Sequence, residues 1–225
     1  MKRVLIYVEG QTEETFINRI INPHINNVGV LMIPIIAATK TVAGRPFYKG
    51  GYISYAKTKR EIKRLLGDSN AAAVTTMFDY FSLPGDFPGK GDIPGGNCYD
   101  RVKNVENKFY RDIDNRRFIP YLNLHEFEAL VLASPEHIAE VFPVKNILSA
   151  IQNVTENVKS PEEINEGQDT HPSARLISMI PNYRKVLHGF IIAKGIGLRT
   201  IREKCPHFNE WLTKIEELEF QFKHR

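Results

Sequence analysis

Three apolar runs in this chain give way to acids. Residues 4–8 lead into Glu9, residues 71–78 into Asp79, and residues 118–124 into His125, Glu126 and Glu128. In a parallel sheet, ligands collect beyond the carboxyl ends of the strands, so carboxylates there carry more functional weight than carboxylates elsewhere. Oxygen donors converging on one sheet edge suit a hard divalent cation, Mg²⁺ or Mn²⁺, which retains several waters and takes up substrate phosphates. Taken singly, each acid reads as a helix cap or a surface charge. Glu9 and Asp79 together, both ending runs of buried character, favour the metal site.

These acids depend on the elements that hold them. Residues 4–8 are continuously apolar and rich in branched side chains, the pattern of a strand covered on both faces. Glu9-Gly10 ends that run, Thr12 is placed as a helix N-cap, and Glu13 and Glu14 complement the positive end of a helix. Phe16, Ile17, Ile20 and Ile21 recur at helical spacing, and Pro23 is predicted to stop the helix. Residues 28–38 read as a second strand, in which Pro34 demands an edge or a bulge. Residues 53–66 form a basic helix with Ile62, Leu65 and Leu66 inward, and residues 71–78 a third strand. Pro84, Gly85, Pro88, Gly89, Gly91, Pro94, Gly95 and Gly96 make residues 83–96 a loop. A helix over 102–109 and a fourth strand over 118–124 follow. A further helix starts near His125, with His125 and Glu128 on one face, Phe127, Leu130 and Val131 inward, and Glu126 capping or facing solvent. This alternation argues for an α/β sheet.

Past residue 135 the strand signal disappears in favour of short helices over 138–142, 147–154, 175–180, 198–204 and 208–218. The expected organisation is an α/β core over 1–134 and a helical extension over 135–225 packed on it. Residues 155–169 carry five acids, one lysine and no aromatic residue, and read as an exposed or mobile loop.

The 225 residues carry a net charge of +4, with 42% apolar residues, an ordinary globular composition. No apolar run approaches the roughly 18 residues of a membrane span, and the N-terminus is too short and too early charged for a signal peptide, so a cytoplasmic protein without a membrane partner is expected. Cys98 and Cys205 are too far apart in sequence, and too few, for a disulfide framework or a four-cysteine zinc site. Cys205-Pro206-His207 reads as a packed helix start. Gly89-Lys90-Gly91 lacks P-loop spacing, so any ATP would be handled by a partner. Lys40, Arg45, Lys49, Lys57, Lys59, Arg60, Lys63 and Arg64 face only Glu61, a local charge of +7 that leaves −3 for the rest of the chain. Phe47, Tyr48, Tyr52 and Tyr55 are interleaved with them, the mixture that holds backbone phosphates and stacks unpaired bases. A solvated helix face accounts equally for residues 57–64 alone.

Val8-Glu9-Gly10-Gln11-Thr12-Glu13 resembles the opening motif of the Toprim-like fold, shared by topoisomerases, primases, overcoming-lysogenisation-defect nucleases and RloB-type proteins. Thr75-Thr76-Met77-Phe78-Asp79-Tyr80-Phe81, Leu83-Pro84-x-Asp86-Phe87-Pro88-Gly89, Leu124-His125-Glu126-Phe127-Glu128-Ala129-Leu130 and Cys205-Pro206-His207-Phe208-x-Glu210-Trp211-Leu212 resemble the DUF4276 family. The resemblance implies a Toprim-like Rossmannoid α/β fold, a mostly parallel sheet flanked by helices with a C-terminal helical cap. It implies a metal-binding and acid/base role for Glu9, and makes Asp79 the first acid of an Asp-x-Asp motif whose second position is Phe81. Asp86, Glu126 and Glu128 are then the candidates for a further ligand. Phe127-Glu128-Ala129-Leu130 also resembles a Phe-Glu-x-Trp stretch of RloB-type proteins, which favours Glu128. Glu13 belongs to the motif, chiefly as a helix-dipole residue, and Arg175 falls where the family tends to carry a base able to reach phosphate. The activity implied is metal-dependent hydrolysis of nucleic-acid phosphodiesters, in partnership with an ATPase encoded nearby in loci read as bacterial anti-phage defence. A degenerate, non-catalytic domain that binds an ATPase or nucleic acid, with a docking surface near Trp211, stands as the alternative, and homo-oligomerisation stays open.

Overall fold

Alternate residues of the first strand, β1 (Lys2–Val8), serve two different cores. Val4, Ile6 and Val8 belong to one apolar cluster, Leu5 and Tyr7 to another, as the period of two requires in a strand covered on both faces. The computed structural model describes residues 1–37, 54–92, 95–164 and 170–218. Lys40, Arg45 and Lys49, with Phe47, Tyr48 and Tyr52, lie outside the described residues.

β1 pairs in parallel with β2 (Val30–Ile36) on one side and β3 (Ala71–Asp79) on the other, and β3 pairs in parallel with β4 (Phe118–Ile119) and β5 (Leu122–Asn123). Pro34 is accommodated because β2 is an edge strand. The fourth strand expected over 118–124 is broken at Pro120, which has no N–H for a ladder. Thr76 bridges the break: its hydroxyl donates to Tyr121 O at 2.8 Å and accepts from Tyr121 N–H at 3.1 Å.

After β1 comes α1 (Gln11–Phe16), capped at Gly10 rather than Thr12, with the Glu13 carboxylate accepting Gly10 N–H at 3.0 Å. Pro23 does not stop the helix. The chain passes through a π-helical turn (Ile17–Ile21) into α2 (Asn22–Ile25), where Pro23 sits in the first turn and its missing N–H leaves no gap. On the opposite face lie α3 (Tyr55–Leu66) and α4 (Cys98–Ile113). α4 starts earlier than residue 102 because Asn97 and Asp100 form a reciprocal capping box.

Beyond β5 the described chain is helical: α5 (Glu128–Val131), α6 (Pro135–Val141), α7 (Ile147–Thr155), α8 (Pro172–Met179), a π-helical turn (Lys185–Gly189), α9 (Phe190–Ile196), α10 (Leu198–Lys204) and α11 (Pro206–Glu217). Their apolar residues join those of β1 and α1 in one cluster. No described helix is long and apolar enough to cross a membrane.

Two expectations are corrected. The acidic segment 155–169 is not a free loop throughout, since Glu162 is 1% exposed and accepts the N–H groups of His207 and Phe208, each at 2.9 Å. It thereby caps α11 from a distant part of the chain. Glu162→Ala should cost about 2 kcal/mol and lower Tm by about 4–8 °C in thermal unfolding; an unchanged Tm would show the cap to be dispensable. Trp211 is likewise no docking surface: it is buried, stacks on Tyr121 at 4.4 Å between centroids, and donates Nε1–H to the Thr75 hydroxyl at 2.9 Å.

Candidate active site

β1 connects to β2 through α1 on one face of the sheet, and β3 connects onward through α4 on the other. Connections that leave adjacent parallel strands in opposite directions open a crevice at their carboxyl ends. Glu9 follows β1 and Asp79 ends β3 at that switch point. The Asp79 N–H and the Ser82 hydroxyl both donate to Glu9 Oε1 at 2.9 Å. Asp79 Oδ1 accepts from Asn123 Nδ2 and from Phe127 N–H, each at 3.0 Å. These bonds occupy one oxygen of each carboxylate.

The second acid group reaches the site through an unusual backbone turn. His125 adopts φ +68, a left-handed conformation uncommon for a residue with a side chain, and it redirects the chain from β5 into α5. Its carbonyl accepts Phe81 N–H at 3.1 Å. Glu128 opens α5 at 0% exposure. The Lys185 ammonium stands 2.9 Å from Glu128 Oε2, an ion pair whose acid is fully buried. Gly189 packs closely at the end of the same turn: a Cβ there would lie 3.2 Å from the Tyr183 hydroxyl and 3.3 Å from the Phe127 ring.

The group is electrostatically overloaded with acid. Burial, then the charges of Asp79 and Glu13, push Glu9 up to about 8. Burial and the Asp79 charge push Glu13 up to about 7. Burial raises Glu128 to about 7 and raises Asp79 as well, in both cases against the opposing pull of Lys185. Desolvation disfavours each charged carboxylate and its neighbours compound the effect. For Lys185, burial lowers the affinity for its proton, but Glu128, Asp79 and Glu126 outweigh burial and hold the ammonium charged.

Of the residues singled out from sequence, the structure brings Glu9, Asp79, Glu13 and Glu128 into mutual influence. Glu13 is more than a helix-dipole residue, being buried within this group. Glu126 neither faces solvent nor caps its own helix. Its Oε2 accepts Ser173 N–H at 2.9 Å and lies 3.1 Å from His171 Nδ1, so it caps α8, and the Lys185 charge followed by these bonds holds it below the usual carboxylate range despite its burial. His125 is buried and kept neutral, pushed down to about 4 by burial and by the charges of Arg101 and Lys90. Asp86 is exposed on the loop after β3. Arg175 donates Nε–H to Thr170 O at 2.6 Å, an internal staple. On α3, Lys57 is half-buried, Lys59 pairs with Asp112 at 2.9 Å, and Arg60 is exposed. Lys185, Ser82, Asn123 and Tyr183 were not indicated by the sequence, because none stands in a recognisable motif and Lys185 comes from the distant cap.

The donor set fits a hard divalent cation in kind: it offers carboxylate oxygens only, buried or half-buried and driven toward protonation by burial and by one another's charge. Among the described residues no three acids or imidazoles converge on one point, since Glu128 is turned to Lys185.

Two solved structures are similar to this chain. One is the C-terminal region of the Burkholderia pseudomallei OLD protein, 15% identical, covering 97% of this chain and 99% of that one at a TM-score of 0.50. The other is the C-terminal region of the Xanthomonas campestris pv. campestris OLD protein, 15% identical, covering 100% and 99% at a TM-score of 0.47. At this identity the first likeness shows the fold alone, a mostly parallel sheet flanked by helices. No curated protein matches the sequence. A family model described as a domain of unknown function, DUF4276, matches residues 8–216, which include every acid of the cluster and Lys185. The chain therefore belongs to the DUF4276 family.

Proposed function

We propose that this chain is a nuclease domain that hydrolyses nucleic-acid phosphodiesters with the help of Mg²⁺ or Mn²⁺. The observation that carries this reading is the Glu9 and Asp79 pair at the switch point of the sheet, hydrogen-bonded to each other through the Asp79 N–H and both raised by burial. Glu9 and Asp79 would hold the cation, with Glu128 joining them once released from Lys185. A divalent ion there would neutralise phosphoryl charge and make an attacking water more acidic.

The chain's own groups do the rest. Asn123 and the Phe127 N–H fix the Asp79 carboxylate, and Ser82 fixes Glu9, so neither needs to reorganise when substrate arrives. Glu9, pushed up to about 8, holds a proton at neutral pH without a cation and can release it when positive charge enters, the property of a general acid–base group. Residues 135–225 would act as the cap that brings Lys185 to the acids. An ATPase encoded nearby in a bacterial anti-phage locus is the proposed partner, and the cytoplasm the proposed location, in keeping with the family resemblance.

The test is cleavage of supercoiled plasmid, single-stranded DNA and RNA with Mn²⁺ or Mg²⁺, with and without that ATPase, alongside calorimetric cation binding. Asp79→Asn should lose cation affinity and at least about 10²-fold in rate. Unchanged cation affinity in this variant would overturn the metal site.

A second reading is supported by Lys185 itself. Its ammonium already supplies positive charge to Glu128, Asp79 and Glu126, and Phe81 stands at the second Asp-x-Asp position. A non-catalytic domain that binds a partner and regulates would look like this. It requires that Glu9→Gln leave biological function intact.

A further inference from the structure

The mouth of the acid site carries aromatic and cationic groups with no assigned role. Phe81 is 42% exposed although it lies two residues beyond the buried end of β3, and its ring centroid is 5.3 Å from that of His171 at a tilt of 31°. One residue earlier, the Tyr80 ring carries the Lys90 ammonium 3.8 Å from its centroid, and Lys90 also donates to Tyr80 O at 2.6 Å. Arg101, in the first turns of α4, donates to Gly96 O at 3.0 Å. Among the described residues neither Lys90 nor Arg101 forms an ion pair with a carboxylate. Both charges act on His125, and Arg101 acts on the Tyr80 hydroxyl as well.

A single exposed phenyl is ordinary on a protein surface. A half-buried ammonium without an anionic partner is not, because desolvation works against its charge. An anion entering here would offset that penalty, and it must be held by cations because the neighbouring carboxylates repel it. Aromatic faces next to such cations accept any base, provided the base is unpaired and its face accessible. A duplex hides those faces in its own stack.

We infer that this mouth binds a single strand of nucleic acid, one base stacking on the exposed side of Phe81, which His171 backs, while adjoining phosphates lie on Lys90 and Arg101. The inference rests on the nucleic-acid reading of the acid site and names its substrate class. Fluorescence anisotropy with a labelled oligothymidine of about 15 nucleotides, against a blunt duplex of the same length, tests it in EDTA, where cleavage cannot occur. The single strand should bind at least about tenfold more tightly than the duplex. Phe81→Ala should weaken single-strand binding about tenfold and duplex binding little, while Phe81→Trp retains it. Lys90→Gln and Arg101→Gln should weaken binding and each reduce the salt dependence by about one phosphate contact. The Tm of Phe81→Ala, expected unchanged because the ring is exposed, verifies that the variant is folded. Equal affinity for the two probes, binding of neither, or wild-type binding by folded Phe81→Ala would overturn the inference. Binding that depends on these residues without any cleavage when cations are supplied would instead remove the hydrolytic reading and leave this one standing.

Discussion

Glu9→Gln should abolish cation-dependent cleavage, by about 10²-fold or more, and yet leave the chain at pH 8 no less stable than the parent. Glutamine keeps an oxygen for the Asp79 N–H and the Ser82 hydroxyl, so the local bonds survive. What it removes is a carboxylate whose folded-state pKa lies at about 8 against an ordinary 4.5, raised first by burial and then by Asp79 and Glu13. A carboxyl raised on folding binds more protons in the folded chain than in the unfolded one. Its folded form is therefore unpenalised below about pH 4.5, loses stability as pH climbs, and carries the full penalty beyond about pH 8. Glu13 and Glu128, each pushed up to about 7, act in the same direction over a narrower window. Glu210, drawn down to about 2 by its bonds to Lys103 and Lys214, acts oppositely, with its contribution lost only in strong acid. Tm measured from pH 5 to 9 should thus fall toward alkaline pH in the parent and fall less in Glu9→Gln. Their difference should grow to a few degrees, and added Mg²⁺ or Mn²⁺ should narrow it. Parallel Tm curves would contradict the electrostatic role of Glu9, and full cleavage by the variant would contradict its catalytic role.

Lys185→Met should be the most destabilising single change at the site. It leaves Glu128, at 0% exposure, with no positive neighbour at 2.9 Å, and deprives Asp79 and Glu126 of the same charge. Removing one partner of a buried pair costs about 3–5 kcal/mol. The lower end applies because the Lys185 side chain is 40% exposed and solvent screens part of its field. A loss of about 3 kcal/mol corresponds to about 6–12 °C in Tm for a chain of this length. The double variant Lys185→Met/Glu128→Gln should regain most of that loss, because the uncompensated charge goes with its partner. Divalent cations should raise the Tm of Lys185→Met more than that of the parent, since they would supply the charge the ammonium gave. A Tm within about 1 °C of the parent would show that the pair contributes nothing; failure of the double variant to recover would assign the loss to packing of the lysine stem.

Much of this arrangement is written locally. Continuous apolar runs ending in Glu9 and Asp79 identify parallel strands and the edge at which they terminate, and Pro34 identifies the sheet's edge strand. Short-range chemistry is also where sequence reading went astray. Thr12 has the composition of a cap, yet Glu13 reaches back to Gly10 and takes that role. Pro23 has the composition of a stop, yet a π-helical turn places it where no N–H is needed. Glu126 and Glu162 look like solvated acids, but each caps a helix remote in sequence, α8 and α11.

By itself, then, the sequence located the first three strands and the ends at which Glu9 and Asp79 stand, because apolar period and strand-end position are properties of neighbouring residues, while its motifs identified the family and singled out Glu128 as a candidate. Only the tertiary structure decided what those acids meet. That Lys185 supplies their positive charge, that Asn123 and Ser82 orient them, and that Phe81 and His171 pair at the mouth follow from distances between segments far apart in the chain. Coulomb interactions and desolvation depend on those distances and on burial, and neither is encoded in the spacing of residues along a chain.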